Sequence, residues 1–595
     1  MMQFNIKVYL KNIFVITIFL SFFALNAAAQ NLDPTVEVSR QYEGKLAEFH
    51  KPSIQMAVPD SVTRFDLTFD YSVFDNPYKG SYEFKPYLLS MKPSASDNGE
   101  SVFYLRAGAG YQLHPTFDMV LSPKFKNRHF NMDIYAQHRS FFGNYWTIAP
   151  KDLDLATTGY DRVSKDESDQ YQWKGYDMMS KAGMNLRGDW ELFALDFGAG
   201  YYGLHQSDRG TVRNYNALDA EFGITSKPES QESMVFDLDV DYRHGQDVVL
   251  GSQLFENVGG FEFNVGPFTA GNYRVSVNAG SDVAVYNGAI AATAGEFHIV
   301  PSIVYNINRF YANIGARISK QISDKGESGM YQGPVGQIEQ FIYPDVEFSY
   351  VLIPDAMKVY MEVGGGNRMD TYSSLVESNH FMTHLVSGNM LDFTVEKVNF
   401  TAGFDGRVTD KFSYNVRAGF VNYANMRAYA MSIDPNPQVS VTYLSCRSKF
   451  AALDWALDVE GFRFDGSVSY NQYASKGTFE NGGVNYAVLK PAAWTGDMGV
   501  EYSWRNRVVG GVDCEFSSAM TGGYGVPFGE ESDLVLQRNV VIPGYADLGL
   551  YAEYSTARNI AFWMRAGNLL NMTIQRVPLY AEKGVHFTLG ICMNL

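Results

Sequence analysis

A chain of 595 residues with 65 acidic and 48 basic side chains, net charge −17, offers no basic surface to a polyanion, which excludes nucleic acid as a partner. Its 54 glycines, 39 tyrosines and 42 phenylalanines describe many strands and turns, and no apolar run beyond the N-terminus approaches the ~18 residues of a membrane helix. The three cysteines, Cys446, Cys514 and Cys592, are far apart and odd in number, so they form neither a disulfide framework nor a Cys-x-x-Cys metal site.

Lys7 and Lys11 precede an apolar run over residues 13–25, and Ala27, Ala28 and Ala29 follow it. A positive start, a short apolar core and small residues at the cleavage site predict a signal peptide over residues 1–29. Residues 30–98 then carry prolines at 52, 59, 77 and 86, which forbid long regular elements. Phe65, Phe69, Tyr71, Phe74 and Tyr78 give this stretch too much apolar surface for a disordered linker. It is expected to be an N-terminal segment lying at the periplasmic mouth or in the lumen of the domain built by residues 99–595.

Residues 99–595 alternate. Phe103, Leu105, Ala107, Ala109 and Tyr111 share one face, opposite Arg106, Gly108 and Gly110. Met132, Ile134 and Ala136, then Val275, Val277 and Ala279, then Phe412, Tyr414, Val416 and Ala418, and then Ala546, Leu548 and Leu550 repeat the pattern. Residues 585–595 carry it to the C-terminus, with Phe587, Leu589, Ile591 and Met593 against His586, Thr588, Gly590 and Cys592. Side chains of a strand repeat with period two, so each segment has one apolar and one polar face. Segments of about ten residues match the length of a tilted strand crossing a bilayer. The fold class expected is all-β, a large transmembrane antiparallel β-barrel of about 22 strands, its final strand pairing with its first. Short connections near Ser122-Pro123 and at residues 557–559 read as periplasmic turns. Longer polar ones near 144–170, 324–340, 373–393, 476–490 and 521–542 read as extracellular loops.

At the C-terminus the residues become more specific. Asn568, Leu569, Leu570 and Asn571 follow a strand, Pro578 and Tyr580 lie in the next connection, and Gly584 leads into the final strand. This arrangement resembles the end of a TonB-dependent receptor barrel, in which an Asn-Leu-(Phe or Leu)-Asn motif closes the penultimate strand. Leu595 stands where an aromatic is common, and residues 30–98 contain none of that family's plug motifs. The chain therefore resembles plug-lacking members, with residues 30–98 as a reduced plug. The resemblance implies an outer-membrane location in contact with lipid, no cofactor, and a periplasmic energy-transducing protein or a surface lipoprotein as partner.

Three groups of residues are candidates for a site. Thr35, Val36, Glu37, Val38 and Ser39 have the placement and alternation of a TonB box, which would add a strand to the energy-transducing partner; an extended linker would look the same. Glu377, His380 and His384, spaced i, i+3, i+7, would share a helix face able to bind a divalent metal, or lie in a solvated loop. His114, His129, His138, His205, His244, His298 and His586 are scattered without a Gly-x-Ser-x-Gly context, so no enzyme is expected. Arg106, Asp133, Arg139, Asn278, Asp282, Arg417, Asp547, Glu553 and Arg565 read as lumen lining. The function expected is uptake or passage of a substrate across the outer membrane, with a non-transporting barrel that scaffolds a protein complex as the alternative.

Overall fold

The computed structural model describes residues 102–595 apart from 112, 126–128, 151–159, 163–167, 208–211, 228–234, 250, 271–272, 326–341, 355, 383–390, 410, 433–437, 477, 480–485, 506, 528–534 and 558. The expected signal peptide, the segment 30–98, the box at residues 35–39 and His384 lie outside the described residues.

The main sheet has 24 strands, of which Tyr486–Val488 and Tyr580–Ala581 are short inserts from loops; the other 22 form a closed antiparallel ring. The barrel of about 22 strands expected from the alternation is the fold observed. The ring closes where Phe103–Tyr111 pairs with His586–Asn594, from Tyr104 opposite Asn594 to Tyr111 opposite Phe587. The carbonyl of Leu595 continues the ladder, accepting from the amides of Val102 at 2.6 Å and Phe103 at 2.9 Å. Closure gives every strand two neighbours, the condition for exposing a sheet to hydrocarbon. Among the described residues no helix is long and apolar enough to cross a membrane.

The alternation sorts the two faces. Val240, Phe261, Ile299, Ile314, Phe404 and Val416 stand exposed on the outside. Their strand neighbours, among them Asp241, Glu262, Asp282 and Arg417, fall on the inside. Phe310, Tyr350, Phe462, Tyr502, Trp504 and Tyr554 are exposed beside the short turns, forming the aromatic girdle of one membrane interface. That end, with turns near Ser122 and Asn559, is the periplasmic one expected, and the longer connections gather at the other.

Inside the seam, Tyr104, Ala561, Trp563 and Cys592 pack into a small core, with the Arg106 guanidinium 4.4 Å above the Trp563 ring. Cys592 is thus the small inward residue expected. The indole lies against bare backbone: a Cβ added at Gly108 would sit 2.5 Å from the Trp563 ring, and one at Gly590 2.4 Å.

Two of the connections read as extracellular loops contain regular elements. Residues 521–542 contribute a hairpin, Met520–Pro527 against Val535–Ile542, joined in parallel by Tyr160–Arg162 into a separate three-stranded sheet. Its glycines read as loop in the sequence, yet its strands pair with one another. The 373–393 stretch begins with a helix, α1 (Tyr372–Ser378), where Thr371 caps the first turn by accepting from the Ser374 amide at 3.1 Å.

Gly590→Val should drive Trp563 off the seam and cost about 1–3 kcal/mol. The folded, heat-modifiable band on electrophoresis should then convert at a lower temperature than in the wild type, while Gly364→Val, at a glycine with open space around it, should convert at the wild-type temperature.

Candidate functional site: the loop end of the lumen

Residues facing the lumen change character along the barrel axis. On four of five consecutive strands the inward positions nearest the loops are apolar: Tyr202 and Leu204, Tyr215 and Ala217, Leu254, and Ala284 and Tyr286, all buried. Further toward the turns the same faces carry Asp196, Asp219 and Glu221, Glu262, and Asp282. The upper layer packs against elements that fold in from the loops, so that α1, the 520–542 hairpin and the 568–585 connection share one apolar core with the wall. Tyr372, Leu375, Val376, Tyr524, Val540 and Leu579 are 0% exposed within it.

Polar clamps fix α1 to the wall. Glu256, 1% exposed, accepts hydrogen bonds from the Ser373 amide at 3.1 Å and from the hydroxyls of Tyr215 and Tyr286 at 3.2 Å. The Tyr372 hydroxyl donates to Asp247 at 2.6 Å; burial pushes this phenol far above its ordinary pKa, so it stays protonated and remains a donor. Arg213 stands 3.4 Å from Asp247 and donates to the carbonyls of His380 and Met382 at 2.5 and 2.6 Å. Arg243 bridges Asp219 on the wall and Glu377 on the helix, both at 2.6 Å.

The 568–585 connection is held as firmly. Asn568, at the end of the penultimate strand, adopts φ +48°, a left-handed conformation that asparagine tolerates. Its amide donates to Asp547 at 2.9 Å, its side-chain oxygen accepts from the Met572 amide at 2.9 Å, and its Nδ2 donates to the Met572 carbonyl at 2.9 Å. The Asn-Leu-Leu-Asn motif is therefore a turn latch, with Leu569 and Leu570 left exposed. Farther along, Arg576 donates to Glu515 at 2.8 Å, Asp547 at 2.9 Å and Glu582 at 2.5 Å. Tyr580 stacks on Phe381 at 4.3 Å, joining this connection to the segment after α1.

Of the metal candidates, Glu377 is engaged by Arg243, and His380 Nδ1 lies 3.0 Å from Asp177. The helix ends at Ser378, so His380 does not continue its face, and no group of three metal-ligating side chains forms among the described residues. Below the core, carboxylates oppose one another across the ladder: Glu221 faces Asp241, Asp239 faces Glu262, and Asp282 faces Glu296. Like charges in register repel, and the exposed members, Glu221, Asp239, Asp241, Glu262 and Asp282, make this wall acidic, while Glu296 is buried against Arg317. Arg139 pairs with Asp118 at 2.7 Å, Arg317 with Glu296 at 3.1 Å and Arg565 with Asp513 at 3.4 Å, confirming the polar interior expected.

The fold is that of a TonB-dependent-receptor-type outer-membrane barrel. Its solved neighbours include the FrpB iron transporter of Neisseria meningitidis, at TM-score 0.56 and 10% identity over 84% of this chain and 81% of that one. The copper transporter OprC aligns at TM-score 0.57 and 12% identity over 83% and 80%. A mutant of the ferric enterobactin receptor PfeA of Pseudomonas aeruginosa aligns at 0.53 and 10% over 83% and 80%. These are described as transporters and a receptor, not as enzymes. Neither a protein-family profile nor a curated protein matches the chain.

The clamps, together with the core they enclose, were not foreseen from the sequence. The available signal was the inward face of strands longer than a bilayer needs, which turns apolar at the loop end. Tyr372→Phe removes one buried hydrogen bond and should cost about 1–3 kcal/mol because Asp247 loses a donor. Hydrogen exchange of the α1 amides should speed up, while that of the seam strands stays as in the wild type.

Proposed function

We propose that this chain is a gated conduit of the outer membrane, passing a substrate through its lumen when the loop-end core gives way. The observation that carries this reading is the two-layered interior, in which an acidic, hydrated wall lies beneath an apolar plate assembled from separate loops. A 22-stranded wall encloses a lumen too wide for its own side chains to fill, so blockage has to come from inserted segments, and here loops supply it at the outer end. Each inserted loop has its own few clamps, which lets one be displaced without unfolding the wall. By analogy of fold alone, the iron and copper transporters and the ferric enterobactin receptor suggest a metal or metal chelate as cargo. The facing carboxylates suit a positively charged cargo.

Residues 30–98 would act as a reduced plug from the periplasmic side. The Val36 and Val38 strand would engage a periplasmic energy-transducing protein, and a surface lipoprotein would be a partner at the loop end. One observation favours a second reading: the loop-end core is packed as fully as a protein interior, which suits a permanently closed barrel that scaffolds an outer-membrane complex.

Planar-bilayer conductance of the intact protein and of a form that lacks residues 30–98 and carries Arg213→Gln and Arg243→Gln, which loosen α1 from the wall, separates the two. The conduit should be closed when intact and should open a stable, cation-selective pore in the second form. Exchanging Asp239, Asp241 and Glu262 for their amides should then weaken the selectivity. A natively folded barrel that stays closed in both forms would favour the scaffold. In cells, Val36→Pro with Val38→Pro should abolish energised uptake, and unchanged uptake would remove the box.

A further inference from the structure

The barrel wall is uneven in height. Strands Phe412–Ser432 and Gln438–Val459 have 21 and 22 residues, but Ile560–Gly567, His586–Asn594 and Phe103–Tyr111 have 8, 9 and 9, and Thr116–Leu121 has 6. Leu113 and Pro115 extend this last strand irregularly, their carbonyls accepting from the amides of Phe142 and Ser140. A tilted strand of about nine residues rises about 23 Å, no more than the roughly 25 Å apolar band of a transmembrane barrel. Around the seam, then, the wall ends at the hydrocarbon boundary.

The tips of the hairpins there agree with that height. Tyr111 is 61% and Leu113 55% exposed at one tip, and Leu570 is 53% exposed at the next, beside exposed Leu569 and Met572. Apolar tips of this kind fit hydrocarbon and are out of place in water. The neighbouring strand Phe130–Pro150 continues well above the low section, so its edge would stand open there. The 568–585 connection reaches across the gap and pairs with that edge, Tyr580 opposite Thr147 and Ala581 opposite Trp146. Behind it lies the apolar core formed by α1, Leu579 and Tyr580.

We propose that this low section is a side entrance from the outer leaflet, with the 568–585 connection as its stopper, and that the ligand it admits is the hydrocarbon chain of a membrane amphiphile. Apolar tips lead to the gap, and an apolar chamber wall lies behind it. Among the polar fastenings of the stopper, Arg576 on Glu515, Asp547 and Glu582 can be released without breaking the ring. The inference rests on the conduit reading for what happens to the ligand next, because it supplies a route into the lumen other than the axial one.

The test uses the full-length mature protein in phosphatidylcholine vesicles containing a phosphatidylcholine with a photoactivatable diazirine in its acyl chain. Adducts are mapped by mass spectrometry in the wild type, in Arg576→Gln, and in a Trp146→Cys/Ala581→Cys protein that an oxidant locks shut. Adducts are expected within residues 372–382 and 575–580, several-fold more in Arg576→Gln and about tenfold fewer in the oxidised pair than in the same pair reduced. Exterior adducts at Phe562 and Leu589 should be equal throughout. Interior adducts absent from both wild type and Arg576→Gln, with normal exterior labelling, would overturn the proposal, as would interior adducts indifferent to the disulfide. Should the cysteine pair not fold, the comparison of Arg576→Gln with wild type decides alone. Conductance of the truncated form with α1 loosened, without interior adducts, leaves the conduit standing and removes the side entrance; interior adducts without conductance do the reverse.

Discussion

A backbone amide in hydrocarbon has no water to bond, and the architecture derives from that constraint. It requires a closed ring, and the ring requires that the first and last strands meet in register. Pairing of Tyr104 with Asn594 puts Leu105 and Met593 on the lipid side together, and Arg106 and Cys592 on the inner side together. A slip of one residue would put the two strands out of phase and turn the polar face of one of them into the membrane. The small interior cluster around Trp563 fixes that register by shape, since only glycine at 108 and 590 leaves room for the indole.

The loop-end core depends on the same ring in a different way. Its elements are too short to be stable alone: α1 has seven residues, and the hairpin is two strands with one short parallel neighbour. They are ordered because the wall presents buried carboxylates and arginines at fixed positions. Glu256, Asp247, Arg213 and Arg243 come from three adjacent strands, so rigidity of the sheet becomes precision of the clamp set. Each clamp is worth a few kcal/mol at most, since desolvation offsets much of the attraction of a buried charge. The core is therefore tightly packed and locally releasable at once.

The barrel was legible in the sequence because period-two alternation is imposed by lipid on one side and water on the other, strand after strand. Its count of about 22 came from the same signal, and Asn568–Asn571 follow directly on the strand Ile560–Gly567. The inserted core was not legible, because alternation weakens where both faces become buried. Tyr202, Leu204 and Tyr286 look like ordinary strand residues, and the long loops look polar because their polar residues are spent on clamps. Glu377 illustrates the loss: its spacing to His380 suggested a metal, while its partner, Arg243, lies far away in sequence.

The seam also governs the order of assembly. It joins strands from opposite ends of the described chain, and bringing them together costs loop-closure entropy on the order of 5 kcal/mol. No earlier pairing can substitute for it, because every other strand of the ring already has both neighbours. A nascent chain interrupted before residue 586 would keep two bare edges through the whole of its stay at the membrane. Such edges are templates for foreign strands. A truncating mutation that removes only the codons for His586–Asn594 therefore opens the ring as surely as one far upstream, and the damage would fall on whichever unfinished barrel stood beside it.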